Sequence, residues 1–326
     1  MKTPAHPQRR TALPVKPPTI ALALGGGGAR GLAHILMLEV FDEMGLKPRI
    51  IAGTSIGAIF GAAYASGLSA KLIRAHTEEA LGQRFGLVRQ LFTARSEPAM
   101  RLFRLVPMRS TLLNPETLAN LMLPDNVARD FAHLKIPLRI VATDFHEQDA
   151  VVLTQGPLRP AIAASMALPA LFSPVTIGGR TLMDGGLVNP LPFDVVAGEA
   201  DVTIAIDVSG ANVRAEERRH PSAFEALVAS SQILQASIVR EKLKSVQPDI
   251  YIDVDVDKFH VLDFLRYEDV FEAAAPAKAQ LRRQLQRVLA SQTLETIQAP
   301  EPQPVLPAPT RKRRLGGLRR PKRNEP

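Results

Sequence analysis

Short, nearly continuous apolar runs alternate along this chain with longer segments whose apolar positions recur at helical spacing. Thr19–Leu24 is the first such run. It ends in a stretch of glycines, and Leu32–Met44 then places apolar residues three and four apart, so the local order is strand, glycine-rich turn, helix. Arg49–Ala52 is a second short strand, running into Gly53-Thr54-Ser55-Ile56-Gly57, and the small residues of Ala58–Ser66 suit a following helix. Two successive strand–turn–helix units imply parallel strands joined by right-handed crossovers. Further strands are predicted at Leu138–Thr143, Val151–Thr154 and Val202–Val208, and helices at Pro115–Leu123, Ala223–Lys244 and Tyr267–Leu289. Val175–Ile177 and Arg180–Met183 flank Gly178-Gly179 as a short hairpin. The predicted class is α/β, with a mostly parallel central sheet flanked by helices.

The pattern fades at both ends. Residues 1–18 carry proline and Lys2, Arg9, Arg10 and Lys16, and read as a disordered basic lead-in. Residues 298–309, with Pro300, Pro302, Pro304, Pro307 and Pro309, read as an extended linker to a basic tail at 310–326. One folded body, 19–297, lies between, and no internal repeat is visible in it. The formal net charge of +8 comes from these ends. Arg311, Lys312, Arg313, Arg314, Arg319, Arg320, Lys322 and Arg323 face Glu325 alone in the tail, which leaves the body mildly acidic. With 46% hydrophobic and 22% charged residues, the chain as a whole is neither disordered nor fibrous.

Composition also narrows the chemistry. The chain has no cysteine, which excludes a disulfide framework, a thiolate nucleophile and a cysteine-ligated metal. The lead-in has no apolar core of the kind a secretory signal needs, so export by that route is not expected. No apolar run is long enough to cross a membrane. The expected location is the cytoplasm, with any membrane contact peripheral and at its inner surface.

Gly53-x-Ser55-x-Gly57 has the spacing of a nucleophile elbow, a tight strand-to-helix turn that pushes a serine hydroxyl out of the sheet. A Cβ at either flanking position would collide with the turn or the adjoining backbone. The helix beginning after Ser55 would aim free N–H groups at developing negative charge. The alternative for the same residues is a glycine-rich turn with Ser55 as an ordinary helix cap.

The second motif is Gly25-Gly26-Gly27-Gly28-Ala29-Arg30-Gly31. Its Gly26-x-Gly28-x-x-Gly31 sits between strand and helix, as a dinucleotide fingerprint does, but the next strand ends in Gly53-Thr54-Ser55 rather than the ribose-binding acid. No Lys-Ser or Lys-Thr follows, so it is no P-loop. What remains is an oxyanion hole with backbone donors drawn from Gly26, Gly27 and Gly28. Close strand–helix packing is the plainer use of the same glycines.

Asp184-Gly185-Gly186 follows the hairpin. An aspartate before two glycines is often a turn residue bonding its own backbone. A serine hydroxyl nevertheless needs a group to take its proton. The other candidates are the histidines, His6, His34, His76, His133, His146, His220 and His260, none of them flanked by glycines or at a strand end. His34, inside the helix after the glycine turn, is expected to pack or cap.

Taken together and in this order, the glycine turn Gly26–Gly31, Gly53–Gly57, Ala164-Ser165-Met166-Ala167-Leu168-Pro169 and Asp184–Gly186 resemble the patatin-like phospholipase family. The resemblance covers about 19–210. It implies a Ser–Asp dyad without a catalytic histidine, an oxyanion hole in the glycine turn, and hydrolysis of lipid acyl esters such as phospholipids, with no metal or organic cofactor. Carried onto this chain, Ser55 is the nucleophile, Asp184 the proton acceptor, and Gly26, Gly27 and Gly28 the donors. Arg30, Gly31, Gly53, Gly57, Gly185 and Gly186 support them. Asn189-Pro190 departs from the paired asparagines of many bacterial members. The rival readings are a nucleotide-binding oxidoreductase using the glycine turn and a non-catalytic membrane-associated adaptor.

Two basic segments bear on partners. Arg84–Arg109 mixes Phe85, Leu87, Leu91, Phe92 and Phe103 with six arginines, which suits a membrane surface or a lid over an acyl pocket as well as a pair of core-packed helices. The tail 310–326 would attract anionic lipid, and nucleic acid equally. The expected substrate is a lipid or other fatty-acyl ester.

Overall fold

Strand β1 (Ile20–Leu24) shows how the sheet divides its surroundings. Ile20, Leu22 and Leu24 enter the main apolar core, whereas Ala21 and Ala23 face a thinner one shared with Leu191, Phe193, Val196 and Val239. Side chains of a strand alternate between faces, so five residues specify both layers. The computed structural model describes residues 17–84, 114–210, 220 and 223–298. The linker beyond Gln298, the basic tail and nearly all of Arg84–Arg109 lie outside the described residues.

After β1 come a 3₁₀ turn (Gly28–Ala33) and α1 (His34–Glu43), then β2 (Ile50–Thr54), α2 (Ile56–Ala65) and α3 (Ala70–Glu79). α4 (Pro115–Met122), β3 (Leu138–Asp144), β4 (Ala150–Leu153) and α5 (Leu158–Ser165) lead to the hairpin β5 (Val175–Ile177) and β6 (Arg180–Asp184). β7 (Val202–Asp207), α6 (Ala223–Ser245), β8 (Ile250–Asp253) and α7 (Tyr267–Gln298) complete the described chain. Two helix starts show ordinary side-chain capping. Ser69 accepts the N–H of Leu72 at α3, and Asn114 accepts the N–H of Glu116 at α4, where Pro115 supplies a preset φ.

β8, β7, β1, β2 and β3 lie side by side and parallel. From β1 the chain steps through β2 to β3 in one direction, and from β7 to β8 in the other. Right-handed crossovers then place α1 and α2 on one face and α6 on the opposite face. The packing agrees, since Phe41 and Phe60 belong to the main core and Val239 of α6 to the thinner one. The direction reverses beside β1, and ligands of open α/β sheets gather outside the carboxyl ends of strands at such a reversal. Ten consecutive residues of α2 are buried, so this helix is apolar all round and rich in small residues, as an interior helix must be.

The antiparallel strands do one further thing. Val141 of β3 is flanked by Thr54 of β2 and Val152 of β4, while its neighbour Ala142 is flanked by Asp184 of β6 and Val151 of β4. A strand has two edges, so β4 occupies one and β2 and β6 share the other end to end. β3 outruns β2, and the hairpin docks on the length left bare. The last residue of β6 thereby arrives next to the last residue of β2.

Candidate active site

Ser55 follows β2 with φ 54° and ψ −120°, a region in which a residue with a side chain costs on the order of 1–3 kcal/mol. The surroundings hold it there. Its N–H donates to Ser165 Oγ at 2.8 Å, and that hydroxyl donates to Val141 O at 2.5 Å. Gly57 permits the turn because a Cβ would lie 2.1 Å from Leu24 O, and one on Gly53 would lie 2.6 Å from Gly57 O. The steric role expected for these two glycines is therefore met by backbone atoms, which cannot move aside.

Ser55 Oγ donates to Asp184 Oδ2 at 2.9 Å. Asp184 is fixed on every side: its N–H donates to Ala167 O at 3.1 Å, and its carbonyl accepts Thr143 Oγ1 at 2.7 Å. Oδ1 accepts the N–H of Gly186 at 2.7 Å. The Asp-Gly-Gly turn is thus both readings at once, an aspartate bonding its own turn and aiming its second oxygen at a serine. Gly185 abuts β3, where a Cβ would meet Val141 O at 2.2 Å. Asp184 is 4% exposed, and burial pushes its carboxyl up to about 6 against the opposing pull of the Gly186 N–H and the Ser55 hydroxyl. Among the described residues, no histidine bonds either member of the pair.

His34 lies fully buried beneath the glycine turn. Its Nε2 is 2.8 Å from Gly25 O, an oxygen that can only accept, so the ring proton sits on Nε2 and Nδ1 is bare. Burial lowers its pKa to about 4, with the Gly25 bond opposing. It is a neutral support for the turn, as expected.

The donor assignment within the turn changes. Gly25 N–H donates to Ile206 O at 3.1 Å, Gly26 N–H to Pro190 O at 2.8 Å and Ala29 N–H to Val261 O at 2.8 Å. Gly26 is therefore corrected from a free donor to a structural one. The N–H groups of Gly27 and Gly28 have no acceptor among the described residues. Both glycines are wedged against the backbone that follows β7 and β8, since a Cβ on Gly27 would lie 2.5 Å from Val208 O and one on Gly28 2.3 Å from Val261 O. Gly28 also has φ +58°. Two free donors match one oxyanion better than the several oxygens of a pyrophosphate, which weighs against the dinucleotide reading.

The supporting residues expected from the sequence have definite contacts. Arg30 is 1% exposed, and its Nε donates to Phe259 O at 2.7 Å while Nη1 donates to Ser209 O. It ties the glycine turn to the chain after β7 and β8. Gly31 lets that turn close over α2, where a Cβ would meet Ile56 Cγ2 at 2.1 Å. Asn189-Pro190, the departure from the expected asparagine pair, joins all three motifs. Asn189 N–H donates to Gly185 O at 2.8 Å, Asn189 O accepts Thr54 Oγ1 at 2.9 Å, and Pro190 O accepts Gly26 N–H. Lys242 of α6 clamps the segment by donating to Asn189 Oδ1, to Leu191 O at 2.9 Å and to Asp194 at 2.5 Å.

The pair opens into a cavity of about 790 Å³ including its mouth. Ile59, Leu118, Met122, Leu171 and Phe172 give it an apolar lining, to which α6 adds Ser231, Gln232 and Gln235. No cluster of metal-ligating side chains occurs among the described residues, and no described helix is long and apolar enough to cross a membrane.

The family model for patatin-like phospholipases matches residues 22–197, which contain Ser55, Asp184 and the glycine turn but not α6 or the segments after β7 and β8 that brace that turn. An uncharacterized NTE family protein of Mycobacterium tuberculosis is 36% identical over 195 residues, 59% of this chain and 50% of that protein. The patatin-like phospholipase domain-containing protein 7 of Rattus norvegicus is 30% identical over 278 residues, 78% of this chain and 20% of its own. The chain thus spans about half, or less, of the length of these curated relatives. Among solved structures, VipD from Legionella pneumophila aligns with a TM-score of 0.43 at 14% identity over 83% of this chain and 67% of its own. With the match covering more than half of its residues, the chain belongs to the patatin-like phospholipase family.

Proposed function

We propose that the protein is a serine lipid acyl hydrolase in which Ser55 attacks the ester carbonyl and Asp184 is the general base. The observation that carries this reading is the 2.9 Å bond between Ser55 Oγ and a buried Asp184 carboxylate, made from a strained backbone beside two free backbone donors. Asp184 takes the serine proton as the Oγ–carbon bond forms, and the N–H groups of Gly27 and Gly28 receive the charge on the carbonyl oxygen. When the tetrahedral intermediate collapses, the carbon–alkoxy bond breaks and the protonated Asp184 returns its proton to the departing oxygen. Water then repeats the sequence on the acyl-enzyme and releases the acid.

An exposed aspartate is a weak base for a hydroxyl. Burial that raises Asp184 to about 6 strengthens it while leaving it ionised at neutral pH. The apolar wall suits an acyl chain, and family membership supports lipid as the substrate class. The chemistry asks nothing of a metal or organic cofactor. The proposed organisation keeps this body, 19–297, apart from the basic tail, whose proposed partner is an anionic membrane surface.

Labelling by an alkyl fluorophosphonate, with and without Ser55→Ala, tests the reading. Wild-type protein is expected to label at one serine and to hydrolyse short-chain esters, and folded Ser55→Ala to do neither. Turnover that survives in the folded variant would remove Ser55 from the mechanism. A wild type that neither labels nor turns over would favour the adaptor.

A further inference from the structure

The first half of α6 is turned inside out. Val228, Ser231, Gln232 and Gln235 fall at helical spacing on one stripe, and that stripe lines the cavity over Ser55. Leu227, Ile233 and Leu234, which would ordinarily seek the interior, are 55%, 65% and 63% exposed. A helix on an apolar cavity normally presents its apolar face to it. Here three neutral hydrogen-bonding side chains point inward and three large aliphatic ones outward. Gln235 is only 9% exposed, a burial that costs free energy for an amide with few partners. Its Nε2 donates to Ser231 Oγ at 3.1 Å. That bond uses one amide hydrogen, so the other and the amide oxygen retain bonding capacity.

The position of this stripe relative to the dyad gives it a meaning. Gln235 Nε2 and Asp184 Oδ1 each lie 2.9 Å from the point where a Cβ on Gly186 would sit, which puts the amide beside the carboxylate. In the reaction proposed above, Asp184 delivers its proton to the leaving oxygen, so the alcohol half of the ester must depart next to Asp184. The acyl half is left to the apolar lining, Leu118, Met122 and Phe172 among it. We propose that Ser231 and Gln235 form the alcohol-side subsite and select esters whose alcohol carries a free hydroxyl close to the scissile oxygen, as a glycerol monoester does. Amide and hydroxyl together offer both donors and acceptors, the pairing that a polyol's hydroxyls need. A hydroxyl brought there replaces its lost water contacts, whereas a plain alkyl alcohol leaves the amide dry and unpaired.

The inference rests on the hydrolase reading, and the test separates the two. Glyceryl monobutyrate and ethyl butyrate share an acyl group and differ only in the alcohol. Full-length wild type, Gln235→Leu and Ser231→Ala are compared on both esters, beside the rate of labelling by an alkyl fluorophosphonate. The ratio of kcat/KM for the glyceryl over the ethyl ester is expected to fall about three- to tenfold in each variant, the usual worth of one neutral hydrogen bond. Labelling is expected to slow by less than that ratio. An unchanged ratio in both variants overturns the subsite. So does a parallel loss on both esters and in labelling, which would make the stripe packing alone. If wild type neither labels nor cleaves either ester, the hydrolase reading falls first and this proposal with it.

Discussion

Asp184 and Asp253 each close a strand of the same sheet, and each carboxyl is pushed up to about 6. Burial is the first cause in both, and the other groups acting on them differ. Asp184 is raised by burial alone, and the groups it touches, the Gly186 N–H and the Ser55 hydroxyl, favour its charged form. Asp253 is raised by desolvation and then by Asp207, Asp257 and Asp255, all of its own sign. Its side chain is exposed, with no nucleophile bonded to it. The contrast teaches that a displaced titration marks a reactive site only when the group also faces something to act on. At the end of β8 the displacement records desolvation and crowding by like charges, and at the end of β6 a buried carboxyl held next to a hydroxyl.

The sharpest break between the two is catalytic. Asp184→Asn keeps the shape of the side chain but cannot take the serine proton, so kcat/KM for a short-chain ester is expected to fall by ~10²–10⁴. Asp253→Asn is expected to change it by no more than about twofold. Single replacement of His34, His76, His133, His146, His220 or His260 in folded protein is expected to do far less than Asp184→Asn. A histidine variant that matched it would turn the dyad into a triad.

The second break is the pH profile. In the proposed mechanism Asp184 acts only when ionised, so below its titration kcat/KM should drop about tenfold per pH unit and above it level off. The inflection is expected near pH 6, following the raised carboxyl. Asp253→Asn should leave it in place, and whatever residual activity Asp184→Asn retains should lose it. An inflection that moved with Asp253 would mean the two carboxyls are coupled.

Much of this arrangement is legible in the sequence, and the boundary has a physical cause. β1, β2, β7 and the hairpin are visible because buried parallel strands and tight turns are written locally, in apolar runs and glycines. The elbow and the glycine turn are visible for the same reason. β8 is not, because Ile250–Asp253 runs into an acidic stretch that reads as solvated. α3 and α5 are short, and Pro160 disguises the second. The helix expected from Leu32 begins at His34, since a 3₁₀ turn occupies the residues before it. The dyad's partners stand 129 residues apart, and only the docking of β6 on the bare edge of β3 joins them. Ser165 bonds Ser55 across 110 residues. Neither distance leaves a local trace. Gly26 teaches the same lesson in reverse, because its spacing suits an oxyanion donor and only Pro190 reveals that its N–H is occupied.

A third comparison is thermodynamic. A carboxyl raised from 3.8 to about 6 holds its proton more tightly folded than unfolded. Its contribution to stability is therefore complete below about pH 4 and is lost as pH rises through 6. Asp184 is almost wholly buried, so at pH 7.5 its charge is a real burden. Asp184→Asn is expected to raise stability by about 1–3 kcal/mol there and by nearly nothing at pH 4, measured by urea denaturation. A variant that is inactive yet more stable is the mark of a functional carboxylate, stability having been given up for reactivity. Equal stability at both pH values would mean that the carboxylate is better compensated than its burial implies.

Asp253→Asn should give the smallest effect, and the same sign. Its folded-state carboxyl also lies above 3.8, so it too contributes fully below about pH 4 and loses that contribution through 6. Exposure reduces the magnitude, because solvent screens repulsion from Asp207, Asp255 and Asp257, and a gain of less than about 1 kcal/mol at pH 7.5 is expected. Salt separates the two carboxyls. Repulsion among like charges weakens as the Debye length shrinks from roughly 10 Å at 0.1 M to about 3 Å at 1 M, so the part of the Asp253→Asn gain that comes from its acidic neighbours should shrink in high salt. The Asp184→Asn gain arises from burial and should persist. Tyr251 Oη donates to Asp207 Oδ2 at 2.8 Å, which holds the Asp207 side chain in place beside Asp253. Adding Tyr251→Phe should therefore reduce the benefit of Asp253→Asn. If the benefit survives both salt and Tyr251→Phe undiminished, desolvation alone raises the carboxyl at the end of β8, its acidic neighbours contribute nothing, and the contrast between the two strand ends collapses to the hydroxyl that only one of them faces.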